Sequence, residues 1–304
     1  PNPLGLAPAR RVCVLLVDGL GERLLRAHAD LAPFLSAQPG RVLTAGFPAT
    51  TSTSLGTLGT GLAPGEHGML GLRLAVPGEG RMLHSLRWTT TAGPEIDPDA
   101  WQPAQTVYQR AEAAGVRPVY VGPSMFEHTG LTRAVYRGVR FVGADTVDDL
   151  VAAAGRELAA ERAYVVVYYG DLDLQGHVAG VDTPEWREQL AIVDRLAERL
   201  AAALPGGSAL YVTADHGMVN VTDRVDFDLV PELREGVAML GGDARARHLY
   251  TEPGAAAAVL ETWRAKLAGR AWVVTREEAI ESGWFGPAVR REWLGRIGDV
   301  IAVP

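Results

Sequence analysis

A single cysteine, Cys13, stands in a chain of 304 residues. No internal disulfide can staple the fold, so stability has to come from a packed core. Cys13 itself lies inside an apolar run and reads as a small core residue. No apolar run approaches the roughly 20 residues that cross a bilayer as a helix, so no membrane span is expected. Clustered positive charge is missing too. The 29 basic and 36 acidic residues leave a net charge of −7, with the basic ones scattered. That excludes a nucleic-acid-binding surface of the usual basic kind. No internal repeat and no low-complexity linker is visible. No signal peptide is visible either, and the chain starts at Pro1 without a methionine. A cytoplasmic location is the expectation, with the true amino terminus and the oligomeric state left open.

Hydrophobic residues are plentiful, at 47% of the chain, enough for a sizeable core. The run Arg11-Val12-Cys13-Val14-Leu15-Leu16-Val17 is almost continuously apolar, as in a parallel strand buried on both faces. It ends in Asp18-Gly19-Leu20-Gly21, and a helical pattern follows over 22–36. Alternation resumes with a helix at 106–114, then strands at 118–121, 164–169 and 209–214, and a helix at 184–204. A short strand-like stretch at 245–250, a helix at 255–267, and strands at 271–274 and 299–303 close the chain. The pattern predicts one α/β domain over 1–304, a three-layer α/β/α sandwich with a mostly parallel sheet. From 72 to 100 it weakens into Gly, Pro and Thr, which predicts a small insert or lid. Trp88 and Trp101 flank the second half of this insert, where packing outweighs substrate contact.

One stretch organises the rest. An apolar run at 42–47 stops at Pro48 and continues as Ala49-Thr50-Thr51-Ser52-Thr53-Ser54, with Leu55, Leu58 and Leu62 at helical spacing. It reads as a strand, a tight turn and a helix start. Such a turn directs backbone N–H groups and the positive end of a helix dipole at one point, which suits a phosphate. Taken alone, it reads first as a Ser/Thr-rich helix cap.

What tips the balance is a repeated design: apolar strand, Asp, then a glycine-containing turn. Asp18, Asp173 and Asp215 all follow it, and strand ends are where ligands sit in such sheets. Each alone would be an ordinary turn residue. Two histidines accompany them, in Asp173-x-x-x-His177 and Asp215-His216. Carboxylate and imidazole together suit zinc, and also manganese or iron. With His248 as a further candidate, the set exceeds one tetrahedral ion and predicts two. Two ions can activate a nucleophile and stabilise a leaving oxygen at phosphorus. Asp171 competes with Asp173, although the four-residue step to His177 favours Asp173. His67 follows the hydroxyl-rich helix and reads mainly as a turn residue, while His28, His84 and His128 read as surface residues. Arg245 and Arg247 flank His248 as phosphate clamps or solvated edge charges.

The chain resembles the alkaline phosphatase superfamily, in particular its nucleotide pyrophosphatase/phosphodiesterase branch. The resemblance rests on Val17-Asp18-Gly19, the block at 47–68, Asp173-Leu174-Gln175-Gly176-His177, Thr213-Ala214-Asp215-His216-Gly217 and His248. It implies that Thr51 is the nucleophile, with Thr50 the next candidate. It further implies that Asp18, Asp215 and His216 hold one metal ion together with the Thr51 oxygen, and that Asp173, His177 and His248 hold a second. The family's asparagine that contacts a phosphoryl oxygen is here Ser54, a departure that bears on substrate preference. An ion on the threonine oxygen lowers its pKa, so no histidine base is needed. Two in-line displacements through a phosphothreonine would give net retention at phosphorus.

The implied activity is metal-dependent hydrolysis of a small phosphodiester or nucleotide pyrophosphate. A phosphomonoesterase or phosphomutase of the same superfamily is the nearest alternative. Asp18-Gly19-Leu20-Gly21 would suit a mutase, but the chain has little room for the large inserted domain usual there. No Cys/Ser-x-Pro-x-Arg surrounds Thr51, which argues against a sulfatase. A non-catalytic metal-binding homologue would lack a ligand or the nucleophile, and no position is missing.

Overall fold

The computed structural model describes residues 2–304. Among them the strands are β1 (Arg11–Val17), β2 (Arg73–Val76), β3 (Arg81–His84), β4 (Thr89–Thr90), β5 (Arg117–Gly122), β6 (Arg140–Gly143), β7 (Ala163–Tyr169), β8 (Ser208–Thr213), β9 (Val237–Asp243), β10 (Ala246–Thr251), β11 (Trp272–Thr275) and β12 (Val300–Val303). The chain divides into two compact units. The first comprises the chain up to Thr44, Gln105–His128 and Tyr136–Asn220, and the second Ala45–Ala104, Thr129–Val135 and Val221–Pro304.

The first unit is built on a wholly parallel sheet in the order β6-β5-β7-β1-β8. Its strands are apolar on both faces because helices cover both. On one face Cys13, Leu15 and Val17 of β1 and Val165 and Val167 of β7 join Trp186, Leu190, Val193, Ala197 and Leu200 in one buried cluster. Those last five recur at helical spacing along Pro184–Ala203, a stripe that fixes which side of the helix turns inward. On the opposite face Tyr120 and Tyr168 run along the sheet, and Tyr108 of the helix Val107–Ala113 stacks on Tyr164 at 5.7 Å. The α/β class with a mostly parallel central sheet is thus as expected. Cys13 is a buried core residue with a free thiol.

The expected helix at 22–36 is two helices, Glu22–Ala27 and Pro33–Ser36. Pro33 has no N–H to donate and disfavours helical backbone at Ala32. The buried carboxylate of Asp194 then accepts from the N–H groups of Phe34 and Leu35 at 3.1 and 2.8 Å, giving a new helix start its cap. The expected strand at 42–47 does not form. Val42 and Leu43 are 61% and 58% exposed, and the run pairs with none of the described sheets. Apolar composition without a hydrogen-bonding neighbour does not make a strand.

The second unit holds two antiparallel sheets, β11-β12-β10-β9 and β2-β3-β4. The strands expected near the carboxyl end therefore belong to a sheet of their own rather than to the parallel one. Their core gathers Leu249, Val273, Val300 and Ala302 against Val259 and Trp263 of the helix Ala256–Lys266. Residues 73–90, read as an insert, form the three-stranded sheet. Trp88 and Trp101 are packing residues: Trp88 Nε1 donates to the Ile96 carbonyl, and the Arg296 guanidinium lies 3.7 Å over the Trp101 ring.

Candidate functional site

In the first unit, β1 delivers Asp18 and β8 delivers Asp215 and His216 to the carboxyl edge of the parallel sheet. The loops that follow touch through backbone: a Cβ added to Gly21 would lie 2.8 Å from Gly217 Cα. That close approach brings one atom each from Asp18, Asp215 and His216 within 4.8 Å of one another. All three residues are buried, at 4%, 3% and 9% exposure.

The hydrogen bonds decide which atoms remain available. Asp215 Oδ1 accepts from the Gly19 and His216 N–H groups at 3.1 and 2.9 Å. Asp18 Oδ2 accepts from Tyr168 Oη at 2.5 Å. His216 Nδ1 lies 2.9 Å from the Gly217 carbonyl, which can only accept, so the neutral ring keeps its lone pair on Nε2. Left over are Asp18 Oδ1 and Asp215 Oδ2, buried and without a partner. His216 Nε2 stands 3.3 and 3.6 Å from them.

Asp173 falls on the helix Asp171–Val178, which replaces the turn the sequence suggested. One helical turn separates it from His177, and His177 Nε2 lies 3.4 Å from Asp173 Oδ2. Asp171 is exposed, whereas Asp173 is half-buried with Oδ1 unpartnered, so Asp173 is the better placed of the two. Gly19 is required here twice. Its φ is +74°, and a Cβ would lie 2.9 Å from Asp173 Oδ1.

Burial, reinforced by the charges of Asp215 and Asp173, holds the Asp18 carboxyl well above the usual range, against the pull of the Tyr168 hydrogen bond. Asp173 is raised as well, chiefly by burial. Crowded buried carboxylates with orphaned oxygens carry a large desolvation cost unless a cation offsets it. Oxygen donors with one imidazole nitrogen fit a divalent ion such as Zn2+, Mn2+ or Fe2+.

In the second unit, Thr51 is the first residue of the helix Thr51–Thr60, and Thr50 precedes it in extended backbone without a side-chain cap. The helix dipole therefore ends at Thr51. Much of the hydroxyl-rich stretch is structural. Ser52 Oγ donates to the Gly71 carbonyl at 3.3 Å and accepts from Ser85 Oγ at 2.8 Å, and Thr60 Oγ1 donates to Gly56 at 2.7 Å. Ser54 is buried, and its hydroxyl has no partner. His67 is buried as well. Its Nδ1 accepts from Met69 N–H at 3.1 Å, so Nε2–H donates to Thr57 Oγ1 at 3.1 Å, a structural role.

His248 sits fully buried on β10, paired with Ile301 and Gly241. Its Nδ1 accepts from Gly298 N–H at 3.1 Å, and burial depresses its pKa to about 4. The neutral ring then carries its proton on Nε2, so ligation through Nε2 requires the Gly298 contact to be released. Arg245 is exposed and Arg247 half-buried beside it. Of the histidines read as surface residues, His28 is buried instead. Its ring nitrogens each lie 2.9 Å from an acceptor, the Leu24 carbonyl and Asp182 Oδ1.

Residues 12–304 match the family described as type I phosphodiesterase/nucleotide pyrophosphatase. The chain belongs to this family. It is a phosphoric-ester hydrolase of the phosphodiesterase/nucleotide pyrophosphatase type within the alkaline phosphatase superfamily. No curated protein sequence matches the chain. Among solved structures it is similar in fold to murine ectonucleotide pyrophosphatase/phosphodiesterase 5, solved as an inactive variant in complex with AMP. The TM-score is 0.73 at 19% identity, over 96% of this chain and 78% of that one. It is also similar to phosphonoacetate hydrolase from Sinorhizobium meliloti 1021 in complex with phosphonoformate. There the TM-score is 0.70 at 20% identity, over 97% of this chain and 81% of that one. Among the described residues no helix is long and apolar enough to cross a membrane.

Sequence reasoning missed Tyr168 and the paired glycines Gly21 and Gly217. The glycines stand in the quoted motifs, but only their mutual approach gives them a reason.

Proposed function

We propose that this phosphohydrolase cleaves phosphodiester or nucleotide pyrophosphate bonds in small molecules, with Thr51 as nucleophile, a phosphothreonine intermediate and two divalent ions, Zn2+ foremost. The observation that carries the reading is the meeting of Asp18 Oδ1, Asp215 Oδ2 and His216 Nε2, three buried donor atoms, two of them unpartnered oxygens. That set would hold one ion. Asp173, His177 and His248 are the proposed set for the second, with His248 obliged to give up Gly298 N–H. When bound, such ions supply Lewis-acid charge that lowers the pKa of the attacking hydroxyl and stabilises the leaving oxygen.

The chain's own groups do the rest. Gly19 and His216 N–H groups hold Asp215 Oδ1 and leave Oδ2 for the ion. The Gly217 carbonyl fixes the His216 tautomer. Thr51 Oγ attacks phosphorus, the ester or anhydride oxygen departs, and water then breaks the Thr51–phosphorus bond. Ser54 Oγ donates a hydrogen bond to a phosphoryl oxygen. A nucleotide-type substrate is supported by the AMP found with the murine neighbour.

Release of p-nitrophenol from bis-p-nitrophenyl phosphate, with and without a chelator, tests the reading. Expected is turnover that chelator abolishes and Zn2+ or Mn2+ restores. Full activity in a metal-free preparation would overturn it. Comparing kcat/KM for matched mono- and diesters, with phosphonoacetate in the same panel, decides between this reading and its relatives.

A further inference from the structure

Tyr168 is a buried tyrosine that the proposed chemistry does not use, and its hydroxyl ends on Asp18. Parallel pairing sets Leu16 opposite Tyr168 and Val17 opposite Tyr169, so Asp18 lies level with Gly170 rather than with Tyr168. To reach Asp18 the ring has to lean along the strand, over Gly170. A Cβ on Gly170 would lie 3.0 Å from both Tyr168 Cε1 and Oη. The backbone of Gly170, at φ −111° and ψ −10°, is open to any residue. Space for the tyrosine, rather than backbone freedom, is therefore what glycine supplies. The neighbouring strand repeats the device: a Cβ on Gly122 would lie 2.8 Å from Tyr120 Cε1. Tyr120 in turn stacks against Tyr168 at 6.4 Å, and Phe126 meets the Tyr168 ring edge-on at 6.0 Å.

We infer that Tyr168, given room by Gly170 and wedged by Tyr120 and Phe126, is a positioning residue that fixes Asp18 Oδ2 and thereby presents Oδ1 to the metal ion. The inference rests on the metal reading proposed above. Its physical basis is general: a ligating carboxylate with one oxygen hydrogen-bonded has a single orientation, and removing the outer partner lowers metal affinity about 10–100-fold.

The test measures the Zn2+ affinity of the folded protein, by competition with a chromophoric chelator well below the unfolding midpoint. Tyr168→Phe keeps the ring and removes the hydroxyl, and is expected to weaken binding about 10–100-fold. Gly170→Ala, which displaces the ring, is expected to weaken it in the same direction. Tyr169→Phe is the control. Its hydroxyl donates to Gln189 Oε1 at 2.6 Å, and it is expected to bind as wild type does. A purely structural tyrosine would lower the unfolding midpoint and leave the affinity of the folded protein untouched. Wild-type affinity in Tyr168→Phe, or an equal loss in Tyr169→Phe, overturns the inference alone. A wild-type protein that binds no divalent ion overturns the metal reading, and the inference with it.

Discussion

Asp18 shares a buried space with Asp173 and Asp215, and burial with their charges pushes its carboxyl well above the ordinary range. Asp18→Asn removes one charge from that crowd while keeping its shape. The metal-free variant is expected to unfold at a higher temperature than metal-free wild type, and to bind Zn2+ at least about 10-fold more weakly. Paired melts in chelator and in Zn2+ check both halves. Thr51→Ala is expected to lower kcat at least about 10³-fold, as loss of a nucleophile does, with metal content and melting temperature unchanged. Near-normal turnover would move the assignment to Thr50. Asp18 and Asp215 were legible as site candidates because each stands where an apolar strand meets a glycine turn. Asp173, on the helix Asp171–Val178, was marked only by its four-residue step to His177. Tyr168 was not legible, since its partner lies on the neighbouring strand and no spacing within the chain encodes that register. His28 was misread for a similar reason: its partner Asp182 lies 154 residues away.

The helix Thr51–Thr60 depends on how its own hydroxyls are used, and His67 is part of that. His67 accepts from Met69 and donates to Thr57, and burial depresses its pKa from 6.5 to about 3. Between those values the unfolded chain binds a proton that the folded chain refuses. The stability this histidine contributes is complete above pH about 6.5 and is lost progressively as pH falls towards 3. His67→Gln is expected to cost about 1–3 kcal/mol at pH 7, and to flatten that acid-side decline in unfolding midpoint. A decline as steep as that of wild type would assign the effect elsewhere. On the turn after β1, Gly19→Ala is expected to cost about 1–3 kcal/mol, because the left-handed backbone and the crowding against Asp173 act together. Chemical denaturation reads that cost. The helix beginning at Pro184 was read from its pattern, and the structure adds its cap, the Thr183 hydroxyl accepting from Trp186 N–H. The strand expected at 42–47 failed because strand formation needs a neighbour, which composition does not supply. The helix Asp171–Val178 was hidden by its glycine and two aspartates, residues that read as a turn.

At the scale of the whole molecule, an ion that binds only the folded state adds stability as its concentration exceeds its dissociation constant. The gain is about 2.7 kcal/mol at 100-fold excess. A chelator is therefore expected to lower the unfolding midpoint by several degrees, and Zn2+ to restore it. An unchanged midpoint, with no ion retained, would argue against any metal centre. The apolar strands β1, β7 and β8, and Asp18 and Asp215 in the turns after two of them, were determined by the sequence alone. A buried parallel strand has to be apolar throughout, so the first polar residue after it marks the open edge of the sheet. Only tertiary structure decided which carboxylate oxygens stay unpaired and that a tyrosine one strand away holds Asp18. Those outcomes depend on hydrogen bonds between segments up to two hundred residues apart, and the chain's local chemistry is indifferent to them until the strands are in register.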